Sequence, residues 1–355
     1  MSLNLAYFSP HLSQRRCFLV TGAAGFIGSH LLEVLLKCGQ KVIAVDNFST
    51  GRRDNIEEVK ESVGAKAWEH CTFVEGSVCD FELMNEVCQG VDVVLHQAAL
   101  GSVPRSIEQP VQANEANVSG FVTLLTAAKN QGVTRFVYAS SSSVYGDDHH
   151  DMKSEDNLGR LLSPYAVTKR VNELYAGVFS SLFPIVTIGL RYFNVFGPRQ
   201  DPNGAYAAVI PRWIKKLKSG EQCEIFGDGT TSRDFTFVDN VLFANILASK
   251  VSVELFGESV TSSVVINIAC EKCTSLNSLY QMIKASVIRW NEERGLLLHN
   301  SSLNEPNYRS FRVGDIKHSL ADTSRAHDVL GFVPVVSVED GIARTVNWYL
   351  DNKRF

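Results

Sequence analysis

The chain alternates between short apolar runs and segments of helical length over residues 1–190. The runs are rich in β-branched residues and read CFLVT, KVIAVD, CTFVEG, VDVVLHQA, RFVYASS and IVTIGLRY. Between the first two runs, the spacing of apolar positions predicts a helix from about Phe26 to Cys38. Strands that alternate with helices are typical of βαβ units, so the pattern predicts an α/β fold with a doubly wound parallel sheet of the Rossmann type.

The alternation weakens after Asn194. The stretch GPRQDPNGAYAAVIP is rich in Gly, Pro and Asn and predicts a long functional loop, and GDGTTSRDF predicts a second turn-rich segment. A helical pattern from Val238 to Lys250 precedes VVINIA, which we interpret as one more strand of the sheet, and the part from about Glu271 is predicted as helices with short strands. We therefore expect two interleaved lobes. Residues 1–190 plus 235–270 would bind a dinucleotide, and residues 191–234 plus 271–355 would form a smaller substrate lobe.

Composition excludes some classes of function. The net charge is −4 over 355 residues with no block of like charge, so we expect no nucleic-acid partner. No stretch approaches the roughly 18 apolar residues of a membrane span, and the first 16 residues lack the apolar core of a signal peptide, so we expect a cytoplasmic protein without a membrane partner. The eight scattered cysteines are expected to be reduced thiols. Cys270 and Cys273 have metal or redox spacing without a second pair, so we expect a structural turn and no metal.

A glycine-rich segment, VTGAAGFIGSH, follows the first predicted strand and opens the first predicted helix. Gly22, Gly25 and Gly28 would let the backbone turn tightly and approach a pyrophosphate at the helix N-terminus. Asp46 ends the next strand, where a carboxylate accepts hydrogen bonds from an adenosine ribose. That acid favours NAD over NADP, although Arg52 and Arg53 follow closely enough to keep NADP as an alternative.

Candidate acid-base groups lie in SPYAVTKRVNELY and SSSSVYG. Tyr165 and Lys169 are four residues apart and would share one helix face. A tyrosine base must lower its pKa from about 10 to about 7, and two nearby cations, Lys169 and an oxidised nicotinamide, suffice for such a change. The serines end a strand of the same sheet as the glycine loop, where ligands of such folds bind. We therefore predict that one serine hydroxyl shares the proton of Tyr165.

Almost end to end, the chain resembles the extended short-chain dehydrogenase/reductase family and, within it, the sugar-nucleotide 4-epimerases. The stretches HQAALGSVPRSI, SPYAVTK, GLRYFNVFGPRQDPNGAYAAVIP and FRVGDIKHS carry a closer similarity to bacterial UDP-N-acetylglucosamine/UDP-N-acetylgalactosamine 4-epimerases of polysaccharide biosynthesis. The resemblance implies that Tyr165 removes the 4-hydroxyl proton while C4 passes its hydride to NAD, and that the 4-keto sugar then takes the hydride back on its other face. It also implies a UDP-sugar substrate and a homodimer.

Motifs and resemblance together predict the site residues. The catalytic residues are Ser141, Tyr165 and Lys169. The cofactor-binding residues are Gly22, Gly25, Phe26, Ile27, Gly28, Asp46, Asn47, Ser77, Val78, Gln97, Ala98, Asn117, Tyr165 and Lys169. The substrate-binding residues are Ser142, Ser143, Asn194, Ala208, Val209, Arg233, Arg312, Asp315 and Ser319. Ser77 stands where the family usually has an Asp that contacts the adenine amine, so we expect a weaker adenine contact.

Several alternatives stay open. A 4,6-dehydratase or decarboxylase of the same family would need acidic groups where this chain has Ser142 and Ser143. A non-catalytic NAD-binding protein would have no use for Ser141 together with Tyr165 and Lys169. UDP-N-acetylhexosamines are the expected substrates, with their uronic acids and UDP-glucose/UDP-galactose as alternatives. The expectation rests on Ser319, because resembling epimerases confined to non-acetylated sugars tend to carry a bulky aromatic residue at that position.

Overall fold

The apolar runs form the strands of the computed structural model, which describes residues 3–202, 208–256, 262–296, 305–311 and 317–352. In chain order the strands are β1 (Cys17–Thr21), β2 (Lys41–Asp46), β3 (Cys71–Glu75), β4 (Val93–His96), β5 (Arg135–Ser141), β6 (Met152–Lys153), β7 (Val186–Tyr192), β8 (Val195–Phe196), β9 (Glu224–Phe226), β10 (Ser232–Asp234), β11 (Thr236–Phe237), β12 (Ser263–Ile268), β13 (Cys273–Ser275), β14 (Asn307–Arg309) and β15 (His318–Ala321). All of the strands predicted from the apolar runs are present.

The helices between the strands cover the sheet. They are α1 (Phe26–Lys37), α2 (Arg53–Trp68), α3 (Phe81–Val87), α4 (Val103–Glu108), α5 (Pro110–Asn114), α6 (Gly120–Asn130), α7 (Pro164–Leu182), α8 (Val209–Ser219), α9 (Val238–Ala248), α10 (Leu276–Glu292), α11 (Ser324–Leu330) and α12 (Val338–Asn352). Helix α7 begins where the sequence provides a start signal, because Ser163 Oγ accepts a hydrogen bond from Ala166 N and Pro164 occupies the first turn. Within the described residues, no helix has both the length and the apolarity to cross a membrane.

Seven strands form one parallel sheet in the order β12-β7-β5-β4-β1-β2-β3. The predicted doubly wound α/β fold is thereby confirmed. The strand order reverses between β1 and β4, because β2 and β3 follow on one side of β1 while β4 and β5 lie on the other. In such sheets, ligands bind at the carboxyl ends of the strands beside this point. Gly22, Asp46 and Ser141 all lie at strand ends on this edge.

Two segments predicted as irregular are partly regular. The end of GPRQDPNGAYAAVIP, Val209–Pro211, forms the first turn of α8, where a proline is tolerated because its nitrogen lies among the unpaired donors of a helix start. In GDGTTSRDF, Ser232–Asp234 forms β10, which pairs with β13 and β15. Both predictions were wrong at these positions, because the local Gly and Pro content does not reveal a pairing partner far along the chain.

The smaller sheets connect distant parts of the chain. A four-stranded sheet has the order β13-β10-β15-β6, and the pairs β11-β8 and β14-β9 form two more. Strand β6 lies within residues 1–190, which the sequence assigned to the dinucleotide lobe, yet it pairs with β15 near the C-terminus. The two predicted lobes are therefore joined by a shared sheet. In that sheet Arg233 lies opposite Ser319.

The segment before the first strand, whose role the sequence did not indicate, packs against α9. Phe8 is fully buried, and its ring centroid lies 6.4 Å from that of Phe243. The His11 ring lies 5.4 Å from the same phenylalanine, and Gln40 Nε2 donates to Leu12 O at 2.9 Å. The segment thus extends the apolar core, and its contact with Gln40 lies at the amino end of β2.

Candidate active site

A cavity of about 850 Å³ opens at the carboxyl edge of the sheet. Most of the predicted site residues line it: Gly22, Gly25, Phe26, Ile27, Gly28, Asp46, Asn47, Ser77, Val78, Gln97, Ala98, Ser141, Ser142, Tyr165, Lys169, Asn194 and Ala208. These residues come from the ends of six strands, β1 to β5 and β7, and from helices that follow them. The fold therefore assembles one site from segments that are far apart in the sequence.

The glycine loop packs backbone against backbone. Gly22 has a left-handed φ of +68°, and a Cβ there would lie 2.7 Å from Ala98 N. A Cβ on Gly28 would lie 2.0 Å from Gly22 O, so only glycine allows α1 to start this close to β1. Phe26 and Ile27 at the start of α1 line the cavity. The amides of a first helical turn have no partner within the helix, which suits a pyrophosphate.

Asp46 is oriented by the backbone around it. Its Oδ2 accepts from Ala24 N at 2.9 Å and its Oδ1 accepts from Phe48 N at 2.7 Å. Burial raises the pKa of Asp46, and these two N–H donors oppose that effect. A Cβ on Gly51 would lie 2.7 and 2.9 Å from the two carboxylate oxygens, so the loop also needs a glycine there. Each oxygen keeps a lone pair for a ribose hydroxyl, which fits an NAD adenosine.

The two arginines that kept NADP as an alternative are both paired. Arg53 Nη2 donates to both oxygens of Glu75 at 2.9 Å, and its guanidinium lies 4.1 Å from the Phe48 ring centroid. Arg52 Nη2 lies 3.3 Å from Asp54 Oδ2. Because carboxylates hold both side chains, the geometry favours the unphosphorylated ribose of NAD.

Three predicted cofactor residues have side-chain partners within the protein. Ser77 Oγ accepts from Cys79 N at 3.2 Å and keeps a second lone pair for the adenine. The Gln97 amide contacts Asn245 and Tyr192 at 3.1 and 3.2 Å. Asn117 lies outside the set of lining residues.

Asn117 acts on the loop after β4. Its Oδ1 accepts from Leu100 N at 2.7 Å, and its Nδ2 donates to Leu100 O at 3.2 Å and to Thr168 Oγ1 at 3.2 Å. Leu100 lines the cavity, and Thr168 precedes Lys169 on α7. Asn117 therefore connects Leu100 in the cavity wall to α7, the helix that carries Tyr165 and Lys169.

The predicted acid-base groups meet at the end of β5. The Ser141 side chain forms a hydrogen bond with Tyr165, and Ser143 N donates to Ser141 Oγ at 3.2 Å. Lys169 Nζ donates to Ala139 O at 2.7 Å and lies 5.8 Å from the Tyr165 ring centroid. The structure thus brings together all three residues predicted to be catalytic.

Burial moves the pKa values of this cluster towards neutral side chains. Burial raises the pKa of Tyr165, and the hydrogen bond with Ser141 opposes that effect. Burial lowers the pKa of Lys169 to about 8, against the attraction of Glu173. The lowered pKa predicted for Tyr165 is therefore not a property of the protein alone. The prediction relied on an oxidised nicotinamide as a second cation.

A second cavity, of about 320 Å³, continues from the first. Asn194 and Ala208 line both cavities, and Val209 and Arg233 line the second. Trp213, Phe226 and Leu276 add apolar surface, which suits a nucleoside base. Ser319 lines neither cavity but lies opposite Arg233 in the sheet.

Some predicted substrate residues lie elsewhere or cannot be placed. Ser143 does not line either cavity, and its Oγ is buried without a hydrogen-bond partner among the described residues. Arg312 and Asp315 fall in 312–316, outside the described residues.

The sequence did not reveal Arg199, which also lines the main cavity. Its Nη2 lies 2.7 Å from Glu33 Oε2 on α1, and its Nε lies 3.0 Å from Glu58 Oε2 on α2. Arg199 thus holds the loop after β8 against α1 and α2, the helices beside the glycine loop and Asp46. The only signal in the sequence is its place in a Gly- and Pro-rich loop, which does not identify its distant partners.

Comparisons with known proteins agree with this geometry. Residues 18–267 match the family described as Epimerase, the NAD dependent epimerase/dehydratase family. A putative UDP-glucose 4-epimerase of Methanocaldococcus jannaschii is 35% identical over 338 residues, which cover 95% of this chain and 99% of that protein. A UDP-glucuronate 4-epimerase of Thermodesulfobacterium geofontis is 31% identical over 343 residues, which cover 94% of this chain and 96% of that protein.

A solved structure is similar over almost the whole chain. It is a UDP-N-acetylglucosamine 4-epimerase from Methanobrevibacter ruminantium M1 in complex with UDP-N-acetylmuramic acid. The TM-score is 0.82 at 34% identity, and the match covers 96% of this chain and 99% of that chain.

Gly28→Ala tests whether the glycine loop binds NAD. The added methyl group would lie 2.0 Å from Gly22 O, so the glycine loop must move. We expect wild-type protein to release near-stoichiometric NAD on denaturation and the variant to release much less. Gly177→Ala is the control, because a Cβ there meets no atom within 4 Å. Equal NAD content in both variants, or NADP in place of NAD, would contradict the assignment.

Proposed function

The chain belongs to the NAD dependent epimerase/dehydratase family and is a sugar-nucleotide 4-epimerase, and we propose that its substrates are UDP-N-acetylglucosamine and UDP-N-acetylgalactosamine. The resemblance to the sugar-nucleotide 4-epimerases is thereby confirmed, and so is NAD as the cofactor. The N-acetylated sugar and the residue roles that follow are our proposals.

The observation that carries the proposal is the presence of small side chains in the wall of the cavity that contains the acid-base cluster. Gly101, Ser102, Ser142 and Ala208 line the same cavity as Tyr165. Such residues leave room for an acetamido group and offer hydroxyls that can bond to it. The similar Methanobrevibacter enzyme, which is named for UDP-N-acetylglucosamine, supports the same substrate class.

The proposed mechanism assigns a role to each group in the cluster. Gly22–Gly28 and Asp46 would hold NAD, which would supply a reversible hydride acceptor for C4. Tyr165 takes the proton of the 4-hydroxyl and later gives it back, and Ser141 shares that proton through its hydrogen bond with Tyr165. Lys169 places a cation beside the phenol. Arg233 and Asn194 at the second cavity hold the nucleotide while the 4-keto sugar rotates to present its other face.

A uronic acid substrate is the second candidate, because Arg105 lines the main cavity and is half-buried. A guanidinium there suits a C6 carboxylate better than a C6 hydroxyl. Dehydration and decarboxylation have less support, since Ser142 rather than an acid follows Ser141 on the cavity wall. Assays against UDP-N-acetylhexosamines, their uronic acids and UDP-glucose/UDP-galactose decide between the candidates: the highest kcat/KM for the first pair supports our proposal, and the highest for either other pair contradicts it.

Tyr165→Phe tests the acid-base role. The change removes the hydroxyl and leaves the ring to pack, so we expect kcat to fall by about 10²- to 10⁴-fold with little change in NAD content or nucleotide affinity. Tyr175→Phe on the same helix is the control, because the Tyr175 side chain is exposed. If Tyr165→Phe kept more than about a third of wild-type kcat, Tyr165 would not be the base.

Ser319→Tyr tests the size of the sugar pocket. Ser319 lines neither cavity but is half-buried opposite Arg233, and we propose that the longer side chain of a tyrosine would extend from there into the space that an acetamido group needs. Overpacking costs about 1 to 3 kcal/mol, so kcat/KM for UDP-N-acetylgalactosamine should fall by roughly 5- to 150-fold. UDP-galactose should be largely spared, and Ser319→Ala should behave as wild type. An unchanged ratio of the two kcat/KM values in Ser319→Tyr would contradict the proposal that the residue at position 319 limits the size of the sugar.

We also propose that the protein is a homodimer, formed through α7. This helix presents an exposed apolar stripe, in which Val167, Leu174, Val178 and Leu182 are 45%, 54%, 54% and 67% exposed. On the neighbouring helices α4 and α5, Ile107 and Val111 are 61% and 78% exposed. A stripe at helical spacing can pack against its own copy across a twofold axis, which would bury both stripes at once.

Leu174→Glu combined with Val178→Glu tests the dimer. Two carboxylates in an apolar helix contact should keep the copies apart, so light scattering after size-exclusion chromatography should report a monomer. Leu255→Glu is the control, because Leu255 is 53% exposed but belongs to the short helical turn Val253–Phe256, which packs against α11. A monomeric wild-type protein, or a double variant that stays dimeric, would contradict the proposal.

A further inference from the structure

Helix α7 holds the end of β5 at three successive residues. Tyr165, Lys169 and Glu173 are four residues apart and lie on one helix face. Lys169 Nζ donates to the carbonyl of residue 139 at 2.7 Å, Ser140 Oγ donates to Glu173 Oε1 at 2.6 Å, and Ser141 bonds to Tyr165. The side chain of Glu173 thus fixes the residue that immediately precedes the proposed catalytic serine.

Glu173 is itself held by a buried ion pair. Arg191 Nε lies 2.8 Å from Glu173 Oε1, and Arg191 Nη2 lies 2.9 Å from Oε2. Both side chains are 1% exposed, and Arg191 is the register partner of Ser140 on β7. Arg170 Nη1 adds a contact of 2.9 Å from the more exposed side. A two-point pair of this kind fixes the orientation of the carboxylate.

The network continues to the turn after Ser141. Arg191 Nη1 donates to Tyr145 Oη at 3.0 Å and to Glu155 O at 3.1 Å. Tyr145 Oη donates to Asn267 Oδ1 on β12 at 2.5 Å. Tyr145 is the tyrosine of the SSSSVYG motif, so both ends of the serine run are fastened to the Glu173–Arg191 pair.

We propose that Glu173 is a positioning residue for the proton transfer, which holds the Lys169 ammonium in its charged form and, through Ser140, holds Ser141 against Tyr165. The proposal rests on the roles given above to Tyr165, Lys169 and Ser141. It goes beyond them because Glu173 does not line either cavity.

The charges around Lys169 support this role. Burial lowers the pKa of Lys169, and the Glu173 carboxylate raises it. The other groups facing Lys169 are Tyr165 on α7 and His96 on β4, whose pKa is lowered to about 3 by burial and by Lys169, so that it is neutral. Arg191 and Arg170 face the carboxylate of Glu173, as does Tyr138, whose pKa burial raises. Glu173 is therefore the anion that favours the charged form of Lys169.

Glu173→Gln tests the proposal. Without the carboxylate, Lys169 loses its proton at a lower pH, so the alkaline limb of the kcat profile should move down by about one pH unit or more. NAD content should stay at the wild-type level. The substrate is whichever UDP-sugar the wild type turns over, so a wrong assignment of the sugar would leave this comparison intact. A wrong acid-base assignment would show instead as retained kcat in Tyr165→Phe.

The double variant Glu173→Gln/Arg191→Gln separates positioning from folding. It removes both buried charges, and neutralising a whole buried pair costs far less stability than leaving one charge unpaired. We expect its Tm to recover relative to Glu173→Gln, while its alkaline limb lies between those of Glu173→Gln and wild type, because the Arg191 cation is lost as well. Arg170→Gln is the control, because it removes a cation from the same carboxylate but leaves the anion in place, and its limb should match wild type. A double variant with the wild-type limb, or a Glu173→Gln profile that overlays wild type, would overturn the proposal.

Discussion

The parallel pairing of the seven-stranded sheet is the constraint on which the site depends. Parallel strands end at one edge, and the order reverses between β1 and β4, so the segments after β1, β2, β4 and β5 converge there. The glycine loop, Asp46 and Ser141 reach one cavity for this reason, although they are far apart in the sequence. The close approach of Gly28 to Gly22 then lets α1 start directly beside the end of β1.

Sequence patterns predicted the features that depend on local chemistry. Most strands of the sheet are buried on both faces and appear as continuous apolar runs, and the half-buried edge strand β3 is apolar as well, so β1 to β5, β7 and β12 could be recognised. The glycine spacing, Asp46 and the pair Tyr165 and Lys169 follow from fixed geometries of a turn, a strand end and a helix face. The cavity lining agrees with most of these positions because each is set within a few residues of its strand.

Features that depend on distant partners could not be predicted in this way. The pairing of Glu173 with Arg191 joins a helix to a strand 18 residues later, and Arg199 binds Glu33 across 166 residues. Asn117 was predicted from the sequence to bind the cofactor, but its side-chain amide forms hydrogen bonds with Leu100 and Thr168. The regular structure of Ser232–Asp234 depends on β13 and β15, whose pairing is not encoded locally. In each case the partner, rather than the residue type, decides the role.

Burial explains why the acid-base cluster needs the charges placed around it. A low-dielectric site penalises any charged side chain, so it raises the pKa of the Tyr165 phenol and lowers that of the Lys169 ammonium. Lowering a pKa by 1 requires about 1.4 kcal/mol, so a tyrosine that is to lose its proton near pH 7 needs nearby cations that stabilise the phenolate by several kcal/mol. In the proposed mechanism Glu173 keeps one of these cations, Lys169, charged, and the oxidised nicotinamide would be the other. Because the second cation exists only before hydride transfer, we infer that Tyr165 is a base when the cofactor is oxidised and an acid when it is reduced. That dependence matches the two directions of proton transfer that a 4-epimerase requires.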